Sequence, residues 1–96
     1  MLARNWRSGR LELDLVVERQ GEIVFVEVKT RRPGPAPARE AVRWSQRRHL
    51  RRAAAAWMRQ NPVGESFRFD LVAITWPRLG EPRIEHFPGV LEDADP

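Results

Sequence analysis

Between residues 22 and 30 the chain reads Glu22-Ile23-Val24-Phe25-Val26-Glu27-Val28-Lys29-Thr30, a β-branched and aromatic run that is apolar on both faces of a pleated strand except at Glu27 and Lys29. A strand of this kind belongs inside a sheet, so the rest of the chain must be arranged around it. Charged side chains within such a strand are rare unless they are partnered or do chemistry.

The preceding run supplies partners. Leu11, Leu13 and Leu15 alternate with Glu12, Asp14 and Val16, and Val17 extends the pattern into a second strand. If Gln20-Gly21 is a two-residue hairpin turn, facing residues have numbers summing to 41. Asp14 then lies opposite Glu27, and Glu12 opposite Lys29, on one face. A slip of one residue would turn these carboxylates into the apolar layer, so the register is strongly specified. Facing Cβ atoms stand ~4.5–5.5 Å apart. Two carboxylates that close repel unless a proton or cation lies between them, and oxygen ligands of this kind suit magnesium or manganese. Asp14 and Glu27 are therefore candidate metal ligands. The competing interpretation makes the same four residues cross-strand charge pairs on a solvated sheet face.

The identity of the cation matters. Of 17 basic residues, Lys29 is the sole lysine and the other 16 are arginine. Lysine can stabilise developing negative charge and, with a lowered pKa, take a proton, whereas guanidinium stays protonated. A lysine two residues from Glu27 in an otherwise all-arginine chain points to chemistry that needs an amine.

The remaining segments frame the hairpin. Residues 1–7 form a short edge strand turning at Ser8-Gly9, and residues 31–38 hold three prolines and a glycine that make a loop. Residues 39–60 lack Gly and Pro and place Val42, Gln46, His49, Leu50, Ala53, Ala54, Trp57 and Met58 on one helical stripe. Residues 67–76 are a third strong strand and residues 83–87 a short antiparallel return strand. The order β-β-β-helix-β-β predicts an α/β fold, a mixed β-sheet with one principal helix. At 96 residues this is one domain spanning 1–91, with an acidic C-terminal tail at 92–96.

Composition narrows the function classes. The absence of cysteine removes disulfides, thiolate metal sites and cysteine nucleophiles. No apolar run approaches the ~20 residues of a membrane span and the first residues lack the apolar stretch and small-residue cleavage site of a signal peptide, so a cytoplasmic location is expected. A net charge of +4 is compatible with polyanion binding. Arg43, Arg47 and Arg51, with Arg48 beside them, are spaced along the helix to follow a phosphate backbone, and Arg31 adds a cation at the strand end. Gln46 lies on the helix stripe within reach of the hairpin, as a site residue or as a boundary amide bonded to the sheet. His49 and His86 lack partners at metal spacing and are assigned no site role. Among the tryptophans, Trp44 falls off the stripe and is the candidate dimer contact or stacking platform.

The stretches Leu2-Ala3-Arg4-Asn5-Trp6-Arg7, Glu12-Leu13-Asp14-Leu15-Val16, Val24-Phe25-Val26-Glu27-Val28-Lys29-Thr30-Arg31 and Arg68-Phe69-Asp70-Leu71-Val72 resemble the YraN-like family of uncharacterised bacterial proteins. That family is similar in turn to the PD-(D/E)xK nucleases, which include restriction endonucleases and Holliday-junction resolvases. The resemblance implies a restriction-endonuclease-like core lacking its usual N-terminal helix, since that helix and its glutamate would precede Leu2. It also sets Asp14, Glu27 and Lys29 on the family's catalytic motif, with Gln46 where relatives often carry lysine. The function expected is a magnesium- or manganese-dependent endonuclease that hydrolyses phosphodiesters in structured or branched nucleic acid, DNA in preference to RNA. Asp14, Glu27, Lys29, Glu12 and Gln46 would be its catalytic residues, and a homodimer would suit two-fold junctions. The alternatives are a non-catalytic nucleic-acid-binding protein with a nuclease-like fold and a protein-interaction domain.

Overall fold

The computed structural model describes residues 1–41, 44–62 and 66–90. Five strands, β1 (Ala3–Ser8), β2 (Leu11–Arg19), β3 (Glu22–Arg31), β4 (Ser66–Thr75) and β5 (Arg83–Phe87), form one sheet in sequential order. The pairs β1–β2, β2–β3 and β4–β5 are antiparallel and β3–β4 is parallel. A parallel neighbour needs a crossover, which helix α1 (Trp44–Gln60) provides. The mixed sheet with one principal helix expected from the sequence is therefore found.

Each connection follows local chemistry. Gln20 and Gly21 both have positive φ, 53° and 83°, as a two-residue hairpin turn of the primed type requires. The pairs Leu15↔Val26 through Arg19↔Glu22 all sum to 41, as the turn predicts. The helix starts later than the sequence pattern suggests. After Pro37, residues Ala38–Ala41 form a 3₁₀ turn whose Glu40 N–H donates to the Pro37 carbonyl at 3.1 Å, and α1 begins at Trp44. At the other end the Asn61 backbone and side-chain N–H groups both donate to the Trp57 carbonyl, closing the last turn. The acidic tail at 92–96, Arg43 and the side chain of Trp44 lie outside the described residues.

Leu50, Ala53, Ala54 and Trp57 of α1 pack on Leu13, Val16, Ile23, Phe25, Phe69 and Leu71 of the sheet. The alanines let the helix approach closely while Trp57 fills the space over Phe25, edge to face at 5.8 Å. Among the described residues no helix is long and apolar enough to cross a membrane.

The pleat of β2 is not regular. Leu13 and Val16, three residues apart, both enter this core, and so do their β1 partners Trp6 and Ala3. Strict two-residue alternation would send one of each pair to the opposite face. The side-chain phase therefore shifts by one residue between them, where Asn5 takes φ 51°. Asp14 sits within that shift.

On the other face of the sheet Asp70 is 2% exposed. Arg68 donates to both its oxygens at 3.0 and 3.2 Å, the Gly89 N–H donates at 3.2 Å, and His86 Nε2 lies 2.7 Å away. Arg68 also reaches Glu22 on β3 at 3.2 Å. Burial alone would raise the Asp70 pKa, but these donors outweigh it and hold the carboxyl below its ordinary value. The cluster fastens β5 and the turn after it to the centre of the sheet. Because the folded pKa is depressed, this stabilisation is present above about pH 4 and is lost as pH falls through the lowered value. Asp70→Asn is expected to cost ~2–4 kcal/mol at pH 7 in urea unfolding, with the penalty shrinking towards pH 3; a constant penalty from pH 7 to 3 would count against the charge-based account.

Candidate functional site

Parallel partners share a face of the sheet, so the pairs Phe25↔Phe69, Glu27↔Leu71, Lys29↔Ala73 and Arg31↔Thr75 place Glu27, Lys29 and Arg31 in one row on the helix-covered face. The inner half of that face is filled by Ile23 and Phe25 beneath α1. Beyond Phe25 the row becomes charged.

Asp14 enters this row by leaving the strand ladder. The paired register of β2 and β3 stops at Leu15↔Val26, and the Asp14 Oδ2 accepts the Val28 N–H at 2.8 Å. A carboxylate thus replaces the backbone acceptor a regular hairpin would offer. The second consequence is electrostatic. Asp14 lies near enough to Glu27 for its charge to act on it, and Lys29 Nζ lies 3.3 Å from Glu27 Oε1, with the Glu27 side chain only 15% exposed. Burial first, then the Asp14 charge, pushes the Glu27 pKa from 4.5 to about 7, while Lys29 pulls it the other way. Two carboxyls placed in this way need a proton or a cation.

Glu12, Asp14, Glu27, Lys29 and Gln46 together line a cleft of about 360 Å³ with His49 and Leu50. The five residues proposed from sequence as catalytic thus border one space. Glu12 differs in detail from the simple hairpin expectation: its ion pair, at 3.4 Å, is with Arg7 on β1, and both side chains are more than half exposed. The phase shift around Asp14 explains this, because it takes Glu12 out of the alternation that would have set it across from Lys29. His49, to which the sequence assigns no site role, also lines this cleft. Its position three residues after Gln46 and one before Leu50 is the signal that puts it on the cleft-facing side of α1.

The arginines divide. Arg48 is exposed and, at about 100° per residue, turns away from the helix face carrying Gln46, His49 and Leu50. Arg51 borders a groove with Met58, Phe67 and Phe69 near the start of β4, away from the acidic cleft. Arg47 is half-buried next to it in the helix. Arg31 continues the Glu27-Lys29 row into a second cleft at the ends of β3 and β4. Among the tryptophans Trp57 is core, Trp6 packs against it, and Trp76 is 53% exposed.

Among the described residues no three His, Asp or Glu side chains converge as a complete metal cage. Asp14 and Glu27 can offer two oxygens. That donor set suits a hard cation which keeps several waters and takes its remaining ligands from phosphate.

The model of the uncharacterised protein family UPF0102 matches residues 1–74, from the chain start into β4. A UPF0102 protein of Oleidesulfovibrio alaskensis is 47% identical over 77 residues, covering 78% of this chain and 38% of that protein. A UPF0102 protein of Frankia alni is 43% identical over 93 residues, covering 93% and 76%, and one of Roseiflexus castenholzii is 39% identical over 98 residues, covering 98% and 79%. The chain therefore spans less than half of the first relative and about three quarters of the other two.

The raised Glu27 pKa fixes the sign of a pH effect in metal-free protein. The neutral form favours the fold, so the contribution is complete below about pH 4.5 and is lost as pH rises through about 7. Glu27→Gln removes the titrating charge near Asp14 and is expected to stabilise the protein by up to ~3 kcal/mol at pH 8 and by little at pH 4.5. Thermal unfolding in chelator at both values checks this; equal effects at the two would remove the buried Glu27 charge as its cause.

Proposed function

The chain belongs to the uncharacterised protein family UPF0102, and from that premise we propose that it is a magnesium- or manganese-dependent endonuclease acting on structured or branched DNA. The observation that carries this is the juxtaposition of Asp14, Glu27 and Lys29 in one cleft, with the sole lysine 3.3 Å from Glu27. Phosphodiester hydrolysis asks for that combination: acidic oxygens that hold a hard cation against the substrate and a fixed positive charge where negative charge grows.

In this scheme Asp14 and Glu27 hold the cation, which when bound supplies Lewis-acid polarisation of the phosphate and acidifies water. Asp14 is pre-aimed, because Oδ2 is anchored by the Val28 N–H. Lys29 donates to a non-bridging phosphate oxygen as a pentacoordinate phosphorus forms, and an amine there can also pass a proton, which arginine cannot. Gln46 and His49, above the carboxylates on α1, supply hydrogen bonds that position the strand. Water gives up a proton to solvent and adds to phosphorus as the P–O bond to the leaving sugar oxygen breaks, and that oxygen takes up a proton from the Lys29 ammonium or from solvent. Glu12 sits at the cleft rim and contributes negative potential to the cation site. A cytoplasmic setting and a homodimer matched to two-fold junctions belong to the same proposal.

Cleavage of a four-way junction, a flap and a plain duplex with magnesium, manganese or chelator tests this. Junction or flap cleavage should require the metal and fall at least ~10²-fold in both Asp14→Asn and Lys29→Arg. Asparagine can still accept from Val28, so the fold is kept. Salt-sensitive binding with no cleavage under either metal would replace the enzyme by a nucleic-acid-binding module.

A further inference from the structure

Past Lys29 the charged row on β3 leads into an open cleft of about 620 Å³ lined by Thr30, Arg31, Arg32, Trp76, Pro77 and Arg78. It lies where the parallel strands β3 and β4 end, and the Trp76 N–H donates to the Arg31 carbonyl at 2.9 Å, so the two strand ends are tied across it. Three arginines and an exposed indole share this space, and among the described residues no acidic side chain lines it. Arg31 is pre-positioned: Nε donates to Thr75 Oγ1 at 3.2 Å and an Nη donates to the Ala36 carbonyl at 2.6 Å, leaving further guanidinium N–H groups for a ligand. The bond to Ala36 also holds the proline-rich loop against the cleft. The Trp76 indole, 53% exposed beside three guanidinium groups, offers an accessible ring face to a ligand that is both planar and anionic.

We propose that this cleft binds an unpaired nucleotide, its base stacked on Trp76 and its phosphate held by Arg31, Arg32 and Arg78. Stacking on an aromatic ring within an arginine-lined groove is how single strands are bound without sequence preference. The spacing is suitable. Arg31 lies two residues beyond Lys29 on the same face, ~7 Å along the strand, about two stacked nucleotide steps. The cleft would thus hold an unpaired strand next to the phosphate presented to Asp14 and Glu27, which selects substrates with a single-stranded region at the point of cleavage. This subsite rests on the nuclease reading for its purpose, but its binding chemistry can be measured separately.

Binding of labelled oligodeoxythymidylate 16-mer and of a blunt 16-base-pair duplex is measured by anisotropy in chelator, where no cleavage occurs. Trp76→Ala should weaken oligothymidylate binding about tenfold or more and leave the duplex within about twofold, while Trp76→Phe retains most of the affinity. Arg78→Ala should weaken the oligothymidylate and reduce the salt dependence of its binding. Unchanged oligothymidylate binding in Trp76→Ala, or an equal loss on both ligands, overturns the subsite even if the protein cleaves DNA. The expected pattern in a protein that cleaves nothing with either metal upholds the subsite and removes the nuclease.

Discussion

One hydrogen bond sets the geometry of the site, the 2.8 Å contact from the Val28 N–H to the Asp14 carboxylate. A buried backbone N–H must find an acceptor, and in a hairpin the opposite strand normally supplies it. Here a side chain does. The ladder between β2 and β3 stops at Leu15↔Val26, the strands no longer have to run side by side, and a space opens that α1 roofs with Gln46, His49 and Leu50. The same substitution requires the backbone around Asp14 to depart from regular pleating, which accounts for Leu13 and Val16 both reaching the core. Sheet opening, core filling and carboxylate placement are thus one local event.

The two sheet faces hold carboxyl groups whose environments are opposite in kind. Asp70 is the more deeply buried, yet its pKa is lowered, because Arg68, His86 and the Gly89 N–H supply donors that compensate desolvation. Glu27 is the less buried, yet its pKa rises to about 7, because burial first and then the Asp14 charge outweigh the single favourable partner, Lys29. Burial does not distinguish them; the neighbours do. A satisfied carboxylate fastens structure, as Asp70 fastens β5 to β4. An unsatisfied pair stores an affinity for a proton or cation, the condition expected of groups with a chemical task.

Much of this is written in the sequence because period-two patterning and turn chemistry are local. The Gln20-Gly21 turn, the sum of 41, the order of the elements and the placing of Asp14 and Glu27 near Lys29 follow from counting along the chain, which leaves Gln46 open between a site residue and a boundary amide. What counting misses is where a ladder ends. Extrapolating the register to Glu12 and Lys29 assumes that pleating continues through Asp14, and a side chain that captures a backbone N–H breaks that assumption. The Asp70 cluster depends on β5 meeting β4, a pairing whose register no turn fixes over residues 76–82. Arg68 and Asp70, two apart on one strand, carried half of the signal. Trp76 looks like the last apolar residue of a strand, and only the end of the β3–β4 pairing leaves it in solvent.

The row Glu27, Lys29, Arg31 explains why the chain keeps its single lysine. Guanidinium is planar and multidentate, and Arg31 uses that shape to bridge a hydroxyl and a carbonyl, which leaves it fixed. The same group at position 29 would fork onto Glu27 and neutralise the carboxyl that the proposed function assigns to a cation. An ammonium at 3.3 Å is a point charge that pulls on Glu27 without enclosing it, and its stem lets it swing to a neighbouring anion. Burial and Asp14 still win over Lys29 in raising the Glu27 pKa, so the lysine moderates the carboxyl pair without quenching it. Along three alternate residues one strand changes from an acidic group to a movable cation to a fixed one, an electrostatic gradient along β3.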